Sequence, residues 1–404
     1  MKYEAEAGVL AGTISIQTSV AGYSGTGYVG RFENESDKVT FSITLAQAGN
    51  YNIYIGYAAP YGQKINYLNI NGNVAEVTFP ASDVFREVLY GKTLLKENNT
   101  LSIIKSWGWF LVDYIRIEPN TDPEIVVQIP YKLATPEPNT ETRRLFSYLT
   151  NLFTKKVHSG AMSLSAKEEA EWLFTNTGKY PALIGLDFMN HNRDWGWYDK
   201  SIVVNEARDW YNRNGLVAIC WHWRDPSGLT DEFYTSGTNF DVSKISDPAS
   251  AEYQAMVADI DRIAVFIKQL QDENVPILFR PLHEASGGWF WWGAKGAEAC
   301  KTLWRLMFDR MVNYHGLKNL IWVWTTDVRA DNGDWYPGDE YVDILGADIY
   351  AADGDFSSQI LTYNAIKEKF QGKKLITLSE NGPVPDPDNL VADKAHWSWF
   401  MPWY

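Results

Sequence analysis

The chain has 404 residues and a formal net charge of −14, with 50 Asp and Glu against 36 Lys and Arg. That balance argues against nucleic acid or an anionic membrane as a partner, since both are bound through basic patches. A prior of about 150 residues per domain allows two or three domains, and one α/β barrel alone can take about 250. Aromatic residues make up 15% of the chain, with 18 Trp and 23 Tyr, more than core filling asks for and in keeping with a carbohydrate ligand. The two cysteines, Cys220 and Cys300, sit in apolar stretches and read as buried thiols rather than a disulfide framework. The opening MKYEAEAG has no apolar signal-peptide core, and no run of about 18 apolar residues occurs. A soluble chain is expected, the mature form of a secreted, extracellular protein.

Residues 1–118 read as all-β. Segments 41–45 and 51–55 alternate with period two around the turn Ala48-Gly49-Asn50. Segments 67–70 and 74–79 flank Asn71-Gly72-Asn73, a hairpin signal. Segments 101–105 and 111–117 complete about eight to ten short strands, which implies a β-sandwich. Residues 119–140 hold five prolines and read as a linker. The apolar insert 125–129 is unlike a free tether and is expected to lie along one of the domains.

From residue 141 strands and helices alternate. Strands are predicted at 156–163, 182–189, 216–223, 276–284, 320–327, 342–350, 375–380 and 397–403. Helices are predicted at 165–175, 201–214, 248–274, 295–314 and 356–370. Asp247-Pro248 reads as an N-cap with Pro at N1, and Asn214-Gly215 and His315-Gly316 read as stops. Eight β units over 141–404 match a (β/α)8 barrel, a TIM barrel. The final helix is missing after the eighth strand, so the expectation is either a truncated copy or a barrel closed without it.

In such barrels function sits at the C-terminal strand ends. The stretch 279–293, FRPLHEASGGWFWWG, ends a buried strand in Arg280, His283 and Glu284 and continues into Trp289, Trp291 and Trp292. Ionisable groups are expensive to bury without partners. Charge beside an aromatic wall suggests a sugar site, because indole faces pack on the apolar faces of pyranose rings. The plainer reading is an Arg280–Glu284 ion pair capping an ordinary strand, with the tryptophans in the core. Other strand ends carry Asp187, His222, Asp327, Asp348, Tyr350, Glu380, Trp399 and Trp403. Glycoside hydrolysis needs two carboxyls, and Glu284 with Glu380 can supply them; the plainer reading of Glu380 is a cap or a salt bridge. A zinc site from His158, Asp187, His191, His222 and His283 is the rival chemistry, but no HExxH or helical i, i+4 pair supports it. Gly-x-Ser-x-Gly and phosphate-loop motifs are absent.

Arg280-Pro-Leu-His-Glu284 followed by Gly288-Trp-Phe-Trp-Trp-Gly293 resembles glycoside hydrolase family 26, most of whose members are β-mannanases. The resemblance covers about 140–404. It implies a retaining endo-β-1,4-mannanase without a catalytic cofactor, acting on β-mannan polysaccharides as a monomer. It also implies Glu284 as acid/base and Glu380, in Leu378-Ser-Glu-Asn-Gly382, as nucleophile. By the same resemblance His283 lies beside the acid/base, Trp289 is a sugar platform, Tyr350 hydrogen-bonds the nucleophile and His222 contacts substrate. Tyr3-Glu-Ala-Glu6 and Leu111-Val-Asp-Tyr-Ile115 resemble carbohydrate-binding module family 35, which implies a structural calcium with Glu4, Glu6 and Asp113 as acidic ligands. The plainer reading there is exposed glutamates on an edge strand. Trp107 is the expected stacking platform, with Tyr61 as a second candidate; Trp109 is equally readable as core. Other readings remain open: a mixed-linkage β-glucanase or β-1,3-xylanase of the same family, a non-catalytic glycan-binding protein, or a metal-dependent hydrolase.

Overall fold

Alternating burial makes the first 120 residues sheet. In Lys38–Thr44 the inward positions are Val39, Phe41 and Ile43, and in Lys64–Ile70 they are Asn66, Leu68 and Ile70. The computed structural model describes residues 1–163, 167–326 and 332–403. The N-terminal strands are β1 (Lys2–Glu4), β2 (Val9–Ala11), β3 (Ser15–Gln17), β4 (Tyr28–Gly30), β5 (Lys38–Thr44), β6 (Gly49–Ala59), β7 (Lys64–Ile70), β8 (Asn73–Phe79), β9 (Ser82–Leu95), β10 (Asn98–Ile104) and β11 (Leu111–Pro119). They form two antiparallel sheets, β3-β4-β11-β6-β9 with β1 also on β11, and β2-β5-β10-β7-β8. The predicted sandwich is therefore present, with a core of Ile53, Ile55, Tyr57, Leu101, Ile103 and Ile115. Strand β9 was not predicted. It runs 14 residues through Asp83, Arg86, Glu87 and Lys92, so its apolar pattern is broken by charges; it is an edge strand, paired only to β6 and with two register shifts.

The remaining strands are β12 (His158–Met162), β13 (Leu183–Asp187), β14 (Leu216–Trp221), β15 (Ile277–Pro281), β16 (Leu320–Thr326), β17 (Ile344–Ile349), β18 (Leu375–Asn381) and β19 (Trp399–Pro402). All pair in parallel in sequence order, and β19 closes the barrel on β12. The strands are nearly continuous runs of buried Val, Ile, Leu and Trp, as expected for a sheet covered on both faces. The helices are α1 (Thr140–Leu152), α2 (Glu168–Thr177), α3 (Ser201–Asn212), α4 (Ala251–Asp272), α5 (Ala297–Phe308), α6 (Ile360–Lys369) and α7 (Pro387–Asp393). Compactness divides the chain into Met1–Ile125 with Ser357–Glu368 and Asp386–Ala395, and a second unit of the remaining residues.

Local details differ from the prediction. Helix α1 starts inside the predicted linker, capped by Asn139, whose Oδ1 accepts the Thr142 N–H at 2.9 Å. Before it the chain is held along the barrel unit. Gln128 N–H donates to Gly372 O at 2.9 Å, and Thr135 Oγ donates to Leu320 O at 3.0 Å. The predicted cap at Asp247-Pro248 is displaced to Ser250, whose hydroxyl accepts the Tyr253 N–H at 3.1 Å. Residues 242–250 are spent instead on a 3-10 turn and on Asp247 accepting the Ala249 N–H. The predicted helix 295–314 is α5 followed by a π-helical turn, Asp309–Tyr314.

Candidate active site

The site is built around a buried cation. All five residues of β15 are buried, Arg280 among them. Its guanidinium does not pair with Glu284, contrary to the plainer expectation. It donates through Nη1 to Asp348 Oδ2 at 2.8 Å and through Nη2 to Glu380 Oε2. Burial works against the charged guanidinium, but the Asp348 and Glu380 charges hold Arg280 well above its ordinary pKa. The two acceptors come from neighbouring strands: the β17–β18 register slips between Ala347 and Asp348, so that Asp348 faces Glu380 and Ser379 is the extra residue. Such bulges re-aim side chains next to active sites. Ser379 uses its position to donate to Asp348 Oδ1 at 2.8 Å. Tyr350, one residue past β17, donates its hydroxyl to Glu380 Oε1. Glu380 thus accepts a guanidinium and a phenol, contacts suited to a carboxylate anion.

Glu284 is held differently. It lies three residues beyond β15, and both Leu282 (φ 50°) and Glu284 (φ 52°) are in the left-handed region. Each such non-glycine residue costs of order 1–3 kcal/mol, a strain that concentrates at active sites. Trp289 Nε1 donates to Glu284 Oε2 at 3.0 Å. The Trp289 ring covers Gly287 so closely that a Cβ there would lie 2.1 Å from it, which is why the turn needs glycine at 287. Burial and the Glu380 charge push the Glu284 carboxyl above the usual range, more than Arg280 and Trp289 pull it down. Asp348 is pushed well above its ordinary value as well, by burial and by the Glu380 and Glu284 charges against the pull of Arg280, so one buried guanidinium is shared among three carboxyls that disfavour full ionisation.

His283 and His222 form the floor. Asp187 Oδ2 lies 2.6 Å from His222 Nδ1, and His222 Nε2 lies 3.1 Å from His283 Nε2. Burial would raise Asp187, but His222 and its hydrogen bonds hold it below the ordinary carboxylate value. Burial and the His222 and Arg280 charges keep His283 well below its ordinary pKa, hence neutral. His222 thus bridges Asp187 and His283 through its two ring nitrogens. Trp291 and Trp292 are fully buried and donate to Trp223 O (2.6 Å) and His283 O (2.9 Å). They are wall, whereas Trp289 is half-buried.

Of the five zinc candidates, Asp187, His222 and His283 come together through the hydrogen bonds just described, whereas His158 and His191 are bonded elsewhere. His158 bonds Ser398 O and Tyr148, and His191 bonds Lys200 O at 3.0 Å and is pushed down to about 4 by burial. Among the described residues, the potential ligand groups within 4.8 Å of one another are Asp187, Cys220 and His222. There the Asp187–His222 contact is a hydrogen bond, and burial keeps the Cys220 thiol protonated. Asp327 lies outside the described residues. Asp348 and Ser379 are participants to which sequence reasoning assigned no role, and Arg280 and Asp187 were given other ones, an ion pair with Glu284 and a zinc ligand. Their signal was an ionisable residue at a strand's end, but the pairing depends on which strands adjoin.

In the sandwich, Glu4, Glu6 and Asp113 converge on the loop Ser24–Thr26. Glu4 Oε2 accepts the Ser24 hydroxyl at 2.6 Å, Asp113 accepts the Ser24 N–H at 3.0 and 3.1 Å, and Glu6 Oε1 accepts the Thr26 N–H at 2.6 Å. Glu6 Oε2 is buried with no partner among the described residues. Burial raises Asp113, with the Glu4 charge adding to it. The glutamates are thus half-buried and tied to a loop, not free on an edge. Trp107, Trp109 and Tyr61 are all exposed, and Trp109 meets Tyr61 edge-on at 6.0 Å, so Trp109 is not core. Gly108 between the tryptophans has φ +62°, and a Cβ there would strike Phe32 O at 2.1 Å.

Comparison with known proteins agrees with this architecture. Residues 1–120 match carbohydrate binding module family 35, and residues 134–404 match glycosyl hydrolase family 26. A mannan endo-1,4-beta-mannosidase of Thermothelomyces thermophilus is 42% identical over 99% of this chain and 83% of its own length. Mannan endo-1,4-beta-mannosidase B of Piromyces sp is 37% identical over 99% of this chain and 71% of its own. The crystal structure of a Podospora anserina GH26-CBM35 β-(1,4)-mannanase superimposes with a TM-score of 0.65 at 40% identity, covering 100% of this chain and 91% of that one. The matches of residues 134–404 and 1–120, with relatives that align over 99% of this chain, make it a member of glycosyl hydrolase family 26 carrying a family 35 carbohydrate-binding module.

Proposed function

We propose that the chain is a secreted, monomeric endo-β-1,4-mannanase that hydrolyses internal bonds of mannan, galactomannan or glucomannan with retention of configuration. The observation that carries it is the opposed environment of the two carboxyls, with Glu284 raised by burial and by Glu380, and Glu380 holding Arg280 and Tyr350. The full-length relatives named as mannan endo-1,4-beta-mannosidases supply the substrate. In this reading residues 141–404 catalyse, 119–140 connect and 1–118 bind polysaccharide.

Glu380 attacks the anomeric carbon while Glu284 gives its proton to the departing glycosidic oxygen. The bond to Glu380 removes a negative charge that, after burial, had raised the Glu284 carboxyl. The Glu284 carboxyl then becomes a stronger acid and its carboxylate takes a proton from water, which attacks and releases Glu380. Trp289 orients Glu284 and offers its ring to a sugar; Tyr350 and Arg280 hold Glu380. His222 and His283, at the floor, bind sugar hydroxyls. No cofactor takes part in these steps.

In the sandwich, Tyr61, Trp107 and Trp109 are the stacking surface. The donor set of Glu4, Glu6 and Asp113 fits a calcium ion: hard oxygens, with the orphan Glu6 Oε2 available. These residues would hold the ion, and its role would be to tie the N-terminal segment and β11 to the Ser24 loop.

The test is product analysis on linear mannan, lichenan and β-1,3-xylan, with proton NMR of the first product formed. Mixed manno-oligosaccharides of β configuration from mannan alone are expected. Release from lichenan or xylan in preference to mannan, or first products of α configuration, would overturn the reading. Binding of the full chain to insoluble mannan should weaken in Trp107→Ala and in Trp109→Ala; unchanged binding in both removes the stacking surface.

A further inference from the structure

Helix α4 buries a carboxyl that the reaction does not use. Its inward face carries Met256, Ile260, Ile263 and Ile267, and among them Asp259, only 6% exposed. A carboxyl is expensive to bury, and an aliphatic side chain would fill the same space. Burial pushes Asp259 up to about 7, although hydrogen bonds from Trp223 and Asn192 and the Arg262 and Arg193 charges pull it down. Asp259 Oδ2 accepts the Trp223 Nε1–H at 2.8 Å and an Asn192 amide N–H at 3.2 Å. Trp223 follows β14 and Asn192 follows β13, so one oxygen holds the loops beyond two adjacent strands.

Trp223 connects this carboxyl to the turn that carries Glu284. It is fully buried; its ring stacks on Trp221 at 4.1 Å and meets Trp291 edge-on at 4.9 Å. Its carbonyl accepts the Trp291 indole N–H, and Trp291 meets Trp292 edge-on at 5.7 Å. Trp292 in turn donates to His283 O at 2.9 Å. That carbonyl belongs to the peptide leading into Glu284, so pinning it fixes the plane from which the left-handed φ of Glu284 departs. Close-packed rings leave little room to re-aim, so a shift at Trp223 is passed on rather than absorbed.

We propose that Asp259 is a positioning residue for the proton donor: by accepting the Trp223 indole N–H it fixes the Trp223–Trp291–Trp292 stack and, through it, the His283–Glu284 peptide. This rests on the reading of Glu284 as acid/base. A misplacement of about 1 Å at a reacting group can cost on the order of 10²-fold in rate. The signature of Asp259 is therefore a loss concentrated on substrates whose leaving group needs a proton.

The experiment compares kcat/KM of the full chain on mannan and on an aryl mannoside with a good leaving group, with Glu284→Ala as the reference. Asp259→Leu should lower the mannan value about tenfold and the aryl value by less than about threefold. Asp259→Asn, which keeps an oxygen for the indole N–H, should restore most of the mannan value. Trp223→Phe, which keeps a ring and loses the N–H, should show the same split, and adding it to Asp259→Leu should cost little more, because both remove one bond. It also carries the test if the leucine variant does not fold. Equal losses on the two substrates in the folded variant, or a mannan value within about twofold of wild type, would overturn the positioning role alone. A Glu284→Ala chain that shows no such split would remove the acid reading, and this inference with it.

Discussion

The ends of β15 and β18 each present a glutamate to one cleft, and the chain holds the two by opposite means. Glu380 sits within its strand, aimed by a bulge and anchored by Arg280 and Tyr350. Glu284 sits on a turn with two left-handed non-glycine residues, touched by one indole N–H. The first position surrounds its carboxyl with a guanidinium and a phenol; the second raises its carboxyl above the usual range by burial and by the Glu380 charge. A regular strand with cationic support suits an attacking carboxylate. A strained, water-poor turn suits an acid that must later become a base. Two chemically identical side chains acquire different work from backbone setting and neighbours.

The contrast is broken most severely by removing the carboxyls one at a time. Glu380→Ala should lower kcat by roughly 10⁴-fold or more on every substrate, because no bond to the sugar can form. Glu284→Ala should cost about 10²–10⁴-fold on mannan but far less on an aryl mannoside whose leaving group needs no proton. Equal losses for both substrate types would remove the proton-holding role from Glu284. The same carboxyl sets the alkaline limb of the pH profile. Its pKa is raised, so activity persists above the usual carboxylate range and falls as pH rises through that raised value. In Glu380→Gln one negative neighbour is gone, and the titration of Glu284, followed by NMR, should move to lower pH; a shift upward contradicts the coupling.

Removing the shared cation tests the other half of the comparison. Arg280→Met leaves Asp348 and Glu380 buried without their guanidinium, which should cost about 3–5 kcal/mol in denaturant unfolding as well as activity. Glu380→Ala should cost much less stability, since Arg280 keeps Asp348. A smaller loss for Arg280→Met than for Glu380→Ala would mean the cluster is not organised around the arginine. The smallest effect belongs to the sandwich. A chelator should lower its melting temperature by a few degrees and calcium should restore it, with turnover of a soluble oligosaccharide unchanged at room temperature. Melting insensitive to the chelator would discard the ion.

Much of this was legible in the residues. Every barrel strand fell where an apolar run predicted it, because strands buried on both faces leave a continuous signal. The two glutamates stood out because charge and indole beside a buried strand have few packing uses, whereas the parts expected of His283, Trp289, Tyr350 and His222 came from the resemblance to the family. What escaped were features without local periodicity: β9 with its interleaved charges, α1 hidden in a proline-rich stretch, and the cap that moved from Asp247 to Ser250. Trp109 was left open between core and surface, and the structure exposes it.

The amino-acid pattern was enough to establish two modules, the eightfold alternation and which residues carry acid, charge and ring. It could not choose Arg280's partners. In sequence Glu284 is four residues away, while Asp348 and Glu380 are 68 and 100 residues away, and only the latter two bond it. Parallel pairing of β17 with β18, and one extra residue at Ser379, bring those carboxylates together. Burial then turns their geometry into chemistry, because away from water a single guanidinium does not offset three carboxyls, and burial together with the Glu380 charge raises both Asp348 and Glu284 above the ordinary carboxylate range.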